Sequence, residues 1–160
     1  MRNLLVLLGA FAITACSTSN GGGLAELVRG SARICLDRSA FTLPASGTIV
    51  EAERGNLGTH LMGRIGPNAF EITESASFAA TTSIDATVFE NAGFVVRQIG
   101  ELPGSYAVYL RSGTSVQQRP IVRIEHLFGT DSVTVQQFFA SFDPAGAASG
   151  QCDRRFAYGS

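Results

Sequence analysis

The stretch His60-Leu61-Met62-Gly63-Arg64-Ile65-Gly66-Pro67-Asn68-Ala69-Phe70-Glu71-Ile72-Thr73-Glu74 decides the fold class. Leu61, Gly63 and Ile65 alternate with His60, Met62 and Arg64, the period of a strand with one face turned inward. Gly66-Pro67-Asn68 supplies residues that reverse a chain, and Phe70, Ile72 and Glu74 resume the alternation. Two alternating runs joined by so short a turn predict a β-hairpin.

The same pattern continues on both sides. Upstream, Thr48, Val50 and Ala52 oppose Ile49, Glu51 and Glu53, and Arg54-Gly55-Asn56 turns the chain into the hairpin. Downstream, residues 75 to 87 are rich in Ser, Ala and Thr, a composition that fits a polar connection or a weak edge strand. A second hairpin is predicted from Phe94 to Ile99, through Glu101-Leu102-Pro103-Gly104, into Tyr106, Val108 and Leu110 alternating with Ala107, Tyr109 and Arg111. A third hairpin is predicted, in which Ile121, Arg123, Glu125 and Leu127 alternate with Val122, Ile124, His126 and Phe128 before Gly129-Thr130-Asp131-Ser132 turns the chain into Val133, Thr134 and Val135.

Two stretches admit either period. Over 132 to 142, Val135, Phe138, Phe139 and Phe142 fit a helical stripe with Asp131 or Ser132 as cap and Pro144 as stop. A strand is preferred there, because Gly129-Thr130-Asp131-Ser132 joins two β-branched runs. Over 24 to 35, Leu24, Leu27, Val28, Ser31 and Cys35 share a helical face that Gly30 weakens, while Ala32, Ile34 and Leu36 alternate with Arg33, Cys35 and Asp37. The preferred reading is a short helical turn leading into a strand at 32 to 37. Cys152 to Tyr158 is expected to form a closing strand bonded back to the start of the domain. Short strands at hairpin spacing predict a mainly β chain: a single antiparallel sandwich or barrel with at most one or two short helices, with α+β as the alternative.

The N-terminus carries a different kind of signal. Arg2 precedes an apolar run from Leu4 to Ile13, the layout of an export signal, and the run is too short for the roughly 20 apolar residues of a membrane span. Ile13-Thr14-Ala15-Cys16 resembles the lipobox of bacterial lipoproteins. That resemblance implies cleavage of residues 1 to 15 and diacylglycerol attachment at Cys16. Two or more acyl chains hold a protein stably at a membrane. The competing reading is a secreted protein cut near Ala15 with Cys16 a free thiol. Residues 16 to 23, Cys16 followed by Ser, Thr, Asn and Gly, read as a tether reaching roughly 15 Å, and 24 to 160 as one β-rich domain. In the lipoprotein class Ser17, in place of aspartate, implies the outer membrane, with the domain facing the periplasm.

Cysteine usage agrees with export. With Cys16 assigned to lipid, Cys35 and Cys152 remain as a pair, one near each end of the domain, and an even pair in an oxidising compartment reads as a disulfide. Two buried free thiols are the competing reading, and neither cysteine lies in a Cys-x-x-Cys pattern.

The sequence carries few signals of chemistry. The twelve basic residues are all arginine and are scattered, and once Arg2 is lost the rest face thirteen acids, so no footprint for nucleic acid is expected. His60 and His126 lack metal-ligand spacing; His126 shares a face with Val122, Ile124 and Phe128 and is expected half-buried, while His60 is expected exposed. Pairing His126 with Glu125 is disfavoured, since adjacent strand residues point oppositely. Glu51 with Glu53, or Glu71 with Glu74, imitate a glycosidase pair but read as solvated strand edges. No nucleophile elbow or phosphate loop is present. Phe128, Phe138, Phe139 and Phe142 fit a lipid pocket or, more simply, a core. No catalytic residue, cofactor or metal is therefore expected. The expected role is a non-catalytic binding or envelope-assembly module, its partners the membrane through the anchor and an envelope protein or cell-wall component. The alternative is a carrier of an apolar ligand.

Overall fold

The computed structural model describes residues 27 to 55, 58 to 80, 86 to 100, 104 to 127 and 129 to 156. Cys16, the tether, Leu24, Asn56, Glu101 to Pro103, Phe128 and Tyr158 lie outside them. The chain enters through β1 (Val28–Arg29), turns at Gly30 and Ser31, and forms β2 (Arg33–Cys35) and β3 (Ala40–Thr42). A meander follows, β4 (Gly47–Gly55), β5 (Gly58–Ile65) and β6 (Asn68–Glu74). Next come β7 (Thr87–Glu90), β8 (Phe94–Gln98), β9 (Tyr106–Ser112), β10 (Ser115–Val116) and β11 (Val122–Glu125). Helix α1 (Ser132–Ala140), a 3-10 turn at Gly146–Ser149 and β12 (Arg154–Arg155) complete the path.

The fold is mainly β, as predicted. A nine-stranded sheet runs β1-β4-β5-β6-β11-β9-β8-β7, with β10 beside β9, and all its pairs are antiparallel. The path is open, so the barrel form does not apply. A second sheet of three strands, ordered β12-β2-β3, and helix α1 cover one face of the large sheet. Between these layers lie Ile34, Leu36, Phe41, Leu61, Phe70, Ile72, Phe94, Val96, Val108, Ile124, Phe138 and Phe139, all essentially buried.

The β5–β6 hairpin has the register that its turn dictates, from Ile65 opposite Asn68 to Thr59 opposite Glu74. On β4 the register shifts between Ile49 and Glu51, which places Ile49 opposite Gly63 and Ala52 opposite Leu61. A bulge of this kind changes the phase of a strand by one residue. It therefore puts Ile49 and Ala52 on the core side, where simple alternation assigns them opposite sides. The stretch from 75 to 87 ends in β7, an edge strand beginning at Thr87, and residues 81 to 85 are not among those described.

Three expectations are corrected. Val28 and Arg29 pair with Ile49 and Thr48 in extended form, so the expected helical turn is absent among the described residues there. The reason is contact: a Cβ at Gly30 would collide with the carbonyl oxygens of Ala45 and Pro44, so the backbones of two segments press together where a helix would hold them apart. Residues 132 to 140 are helical, not a strand. A strand would send Phe138 and Phe139 to opposite faces, whereas the helix turns Val135, Phe138 and Phe139 into the core. There Phe138 meets Phe41 edge-on at 5.2 Å between ring centres, Phe139 meets Tyr106 at 5.1 Å, and Phe142 just beyond the helix meets Phe94 at 5.3 Å. Consequently the third hairpin does not form, and β11 pairs instead with β6 and β9. The closing strand, finally, is Arg154–Arg155 among the described residues, and it does return to the start of the domain, lying parallel to β2.

Asp131 starts the helix. Its carboxylate accepts the Thr134 N–H at 2.9 Å and the Thr134 hydroxyl at 2.7 Å. These bonds, the hydroxyl's first, hold the carboxyl below its ordinary value. A carboxyl lowered by folding stabilises the fold above its unfolded value and loses that contribution as pH falls through the folded value. Asp131→Ala is expected to lower the melting temperature at neutral pH, with the gap to wild type narrowing as the medium is acidified. Thermal melts across a pH series check this, and a gap that widens towards acid contradicts it.

Candidate functional site

Of the residues singled out in the sequence, Cys35 and Cys152 are joined. They form a disulfide with Cα atoms 5.6 Å apart across a sequence separation of 117. Cys35 is fully buried against Ala40 and Ala147, and Phe156 donates its N–H to the Cys35 carbonyl at 2.8 Å. The bond thus pins the C-terminal segment beside β2. Its surroundings are structural.

Of the two carboxylate pairs, Glu71 with Glu74 separates, and Glu74 is not at a solvated strand edge. Glu71 and Glu74 lie on opposite faces of β6, and Glu74 is 4 % exposed, so they share no site. Glu74 instead accepts the N–H groups of Arg38 at 2.8 Å and Ser39 at 3.0 Å, closing the turn between β2 and β3. Glu71 points to the outer face of the large sheet, away from the core.

On that outer face three strands converge. Glu71 sits opposite Met62 on β5 and opposite Glu125 on β11, while His60 is opposite Thr73 and so diagonal to Glu71. His60 Nε2 lies 3.4 Å from Glu71 Oε2, and His126 Nε2 lies 3.8 Å from Glu71 Oε1. One ligand atom from each of Glu71, Glu125 and His126 falls within 4.8 Å of the others. A depression of about 250 Å³, lined by Glu53, Arg54, His60 and Thr73 among others, adjoins the cluster.

His126 reaches this position because β11 ends at Glu125. Its backbone is left-handed, with φ 65°, where a continuing strand would be extended. That single change cancels the alternation separating neighbours, and the ring shares a region with the Glu125 side chain. The half-buried placement expected for His126 is therefore wrong: its side chain is 53 % exposed. His60, expected exposed, is partly covered. Local spacing identified neither the cluster nor Glu71 as its centre. The available signal was the hairpin register, which sets His60 and Glu71 diagonal.

Two arginines of this face stack on aromatic rings. Arg97 stacks on Tyr109 at 5.3 Å and Arg123 on Phe78 at 4.8 Å, which brings part of the connection after β6 onto the outer face. The aromatic stretch Phe138, Phe139 and Phe142 is buried among other rings, in the core reading of that sequence. Among the described residues no helix is long and apolar enough to cross a membrane. Comparison with known proteins found no matching family model, no similar curated protein and no matching solved structure.

Two expected outcomes follow from the buried links. Replacing both Cys35 and Cys152 by alanine should cost about 2 to 5 kcal/mol in urea unfolding, and alkylation of the wild type should label these thiols only after reduction. Glu74→Ala should cost about 2 to 4 kcal/mol, because it leaves two N–H groups without an acceptor in a buried setting. A loss below about 1 kcal/mol would mean that water replaces the carboxylate there.

Proposed function

We propose that the protein is a lipid-anchored component of a bacterial cell envelope, attached through Cys16 to the outer membrane and facing the periplasm. In this reading residues 1 to 15 are removed, 16 to 23 form the lipidated tether, and the β-domain binds an envelope protein or a cell-wall component without catalysing a reaction. The observation that carries it is Ile13-Thr14-Ala15-Cys16, placed directly after a basic residue and an apolar run. Small residues before the cysteine leave room for a processing enzyme, and a thiol forms a stable thioether with the lipid.

The Cys35–Cys152 bond supports the compartment, since such bonds persist in oxidising spaces. Binding is favoured over catalysis because no serine or cysteine nucleophile with a base and an orienting partner emerges from the sequence or from the described side-chain contacts. The alternative of an apolar carrier has less support: the phenylalanines around α1 are occupied with one another, and the groove lined by Val88, Tyr106, Val135 and Phe139 measures about 230 Å³. That is below the usual range for pockets that bury a drug-sized ligand, and the larger depression of about 380 Å³ is lined largely by polar side chains such as Ser31, Thr42, Gln137 and Ser141.

In cells fed labelled palmitate, the wild type is expected to incorporate label and sediment with membranes, and Cys16→Ser is expected to do neither. Unlabelled wild type, together with a Cys16→Ser chain that still partitions with membranes, would overturn the anchor. Crosslinking in the intact envelope is expected to capture a defined protein or wall fragment.

A further inference from the structure

Glu71 and Glu125 face each other directly across β6 and β11. Like charges in that relation repel and destabilise the strand pair. No arginine forms an ion pair with either carboxylate among the described residues; Glu71 is approached by the two imidazoles. Two carboxylates and two imidazoles are thus gathered at a sheet surface with no arginine ion pair to either carboxylate among the described residues.

We infer that Glu71, Glu125 and His126 form a binding site for a divalent transition-metal ion of the zinc class, with His60 orienting Glu71. The spacing fits. In a tetrahedral site with metal–ligand bonds of about 2.0 to 2.2 Å, neighbouring donor atoms lie roughly 3.4 Å apart. The 3.8 Å between His126 Nε2 and Glu71 Oε1, and the 4.8 Å bound on the whole set, need only small side-chain rotations to close. The donor set fits as well: imidazole suits zinc and its neighbours, whereas calcium and magnesium take oxygen.

His60 completes the arrangement from the other side. Its Nε2 stands 3.4 Å from Glu71 Oε2, leaving Oε1 for the metal. A ligating carboxylate held by such a hydrogen bond is fixed in orientation, and loss of the holding group lowers affinity about 10- to 100-fold. Three protein donors leave one coordination position open, for water or for a donor from a bound partner. The left-handed backbone at His126 brings the third donor to the pair of carboxylates.

The test is calorimetric titration of the purified full-length chain, untagged and freed of metal with a chelator, with Zn²⁺. One ion per chain is expected. Glu71→Gln and His126→Ala should each weaken binding at least about tenfold, and His60→Ala by about 10- to 100-fold. Arg111→Ala, which removes a cation paired with Glu90 on strands away from the cluster, should leave binding unchanged. Co²⁺ in place of Zn²⁺ should give visible absorption bands that His126→Ala abolishes, and excess Ca²⁺ should not displace either ion. Circular dichroism checks each variant's fold; should Glu71→Gln unfold, the exposed His126→Ala carries the same comparison. Absence of zinc uptake, uptake indifferent to these substitutions, or displacement by Ca²⁺ would overturn the inference.

Discussion

Much of this structure depends on one buried carboxylate. Glu74 ends β6 in the middle of the large sheet, yet its two oxygens accept the backbone N–H groups of Arg38 and Ser39 in the turn of the small sheet. A charge taken from water at that depth is tolerable only when hydrogen bonds replace its hydration. The two turn amides provide that replacement, and they would otherwise be orphans themselves. Next to it, Gly58 on β5 lies so close that a Cβ would strike the Glu74 carbonyl, and Thr59 donates its hydroxyl to the Phe156 carbonyl at 3.0 Å. One end of the molecule is thus clasped: β5 and β6, the β2–β3 turn and the C-terminal segment meet there.

What was legible in the sequence is what is local. The β5–β6 hairpin could be read because Gly66 and Pro67 fix the turn, the turn fixes the register, and alternation then fixes the faces. Residues 132 to 140 were misread because Thr134 and Val135 favour strands, while the decisive term was the burial of Phe138 and Phe139 on one side against Phe41 and Tyr106. Those partners are distant in sequence, so no local window contains the answer. The cysteine pair was legible through compartment logic rather than through geometry.

The outer-face cluster shows the same limit more sharply. Its assembly requires β6 to lie beside β11, although four strands of the sequence intervene. It also requires His126 to leave the strand in a left-handed conformation, which a residue other than glycine adopts uncommonly. Alternation correctly predicts that adjacent strand residues diverge; it has no means of saying where the strand stops. The bulge on β4 hides its phase change for the same reason, since Ile49-Val50-Glu51-Ala52 reads equally well on either side of it.

The parallel pairing of β12 with β2 bears on how the chain is made. A ribosome delivers β2 and β3 early and β12 almost last, with the whole large sheet between them. Until then β2 keeps an open edge and Cys35 has no partner, so nascent molecules carry a temporary adhesive border and a reactive thiol side by side. Contacts of such long sequence separation form slowly and leave intermediates prone to association. The native arrangement hides both hazards in one step, when the tail docks.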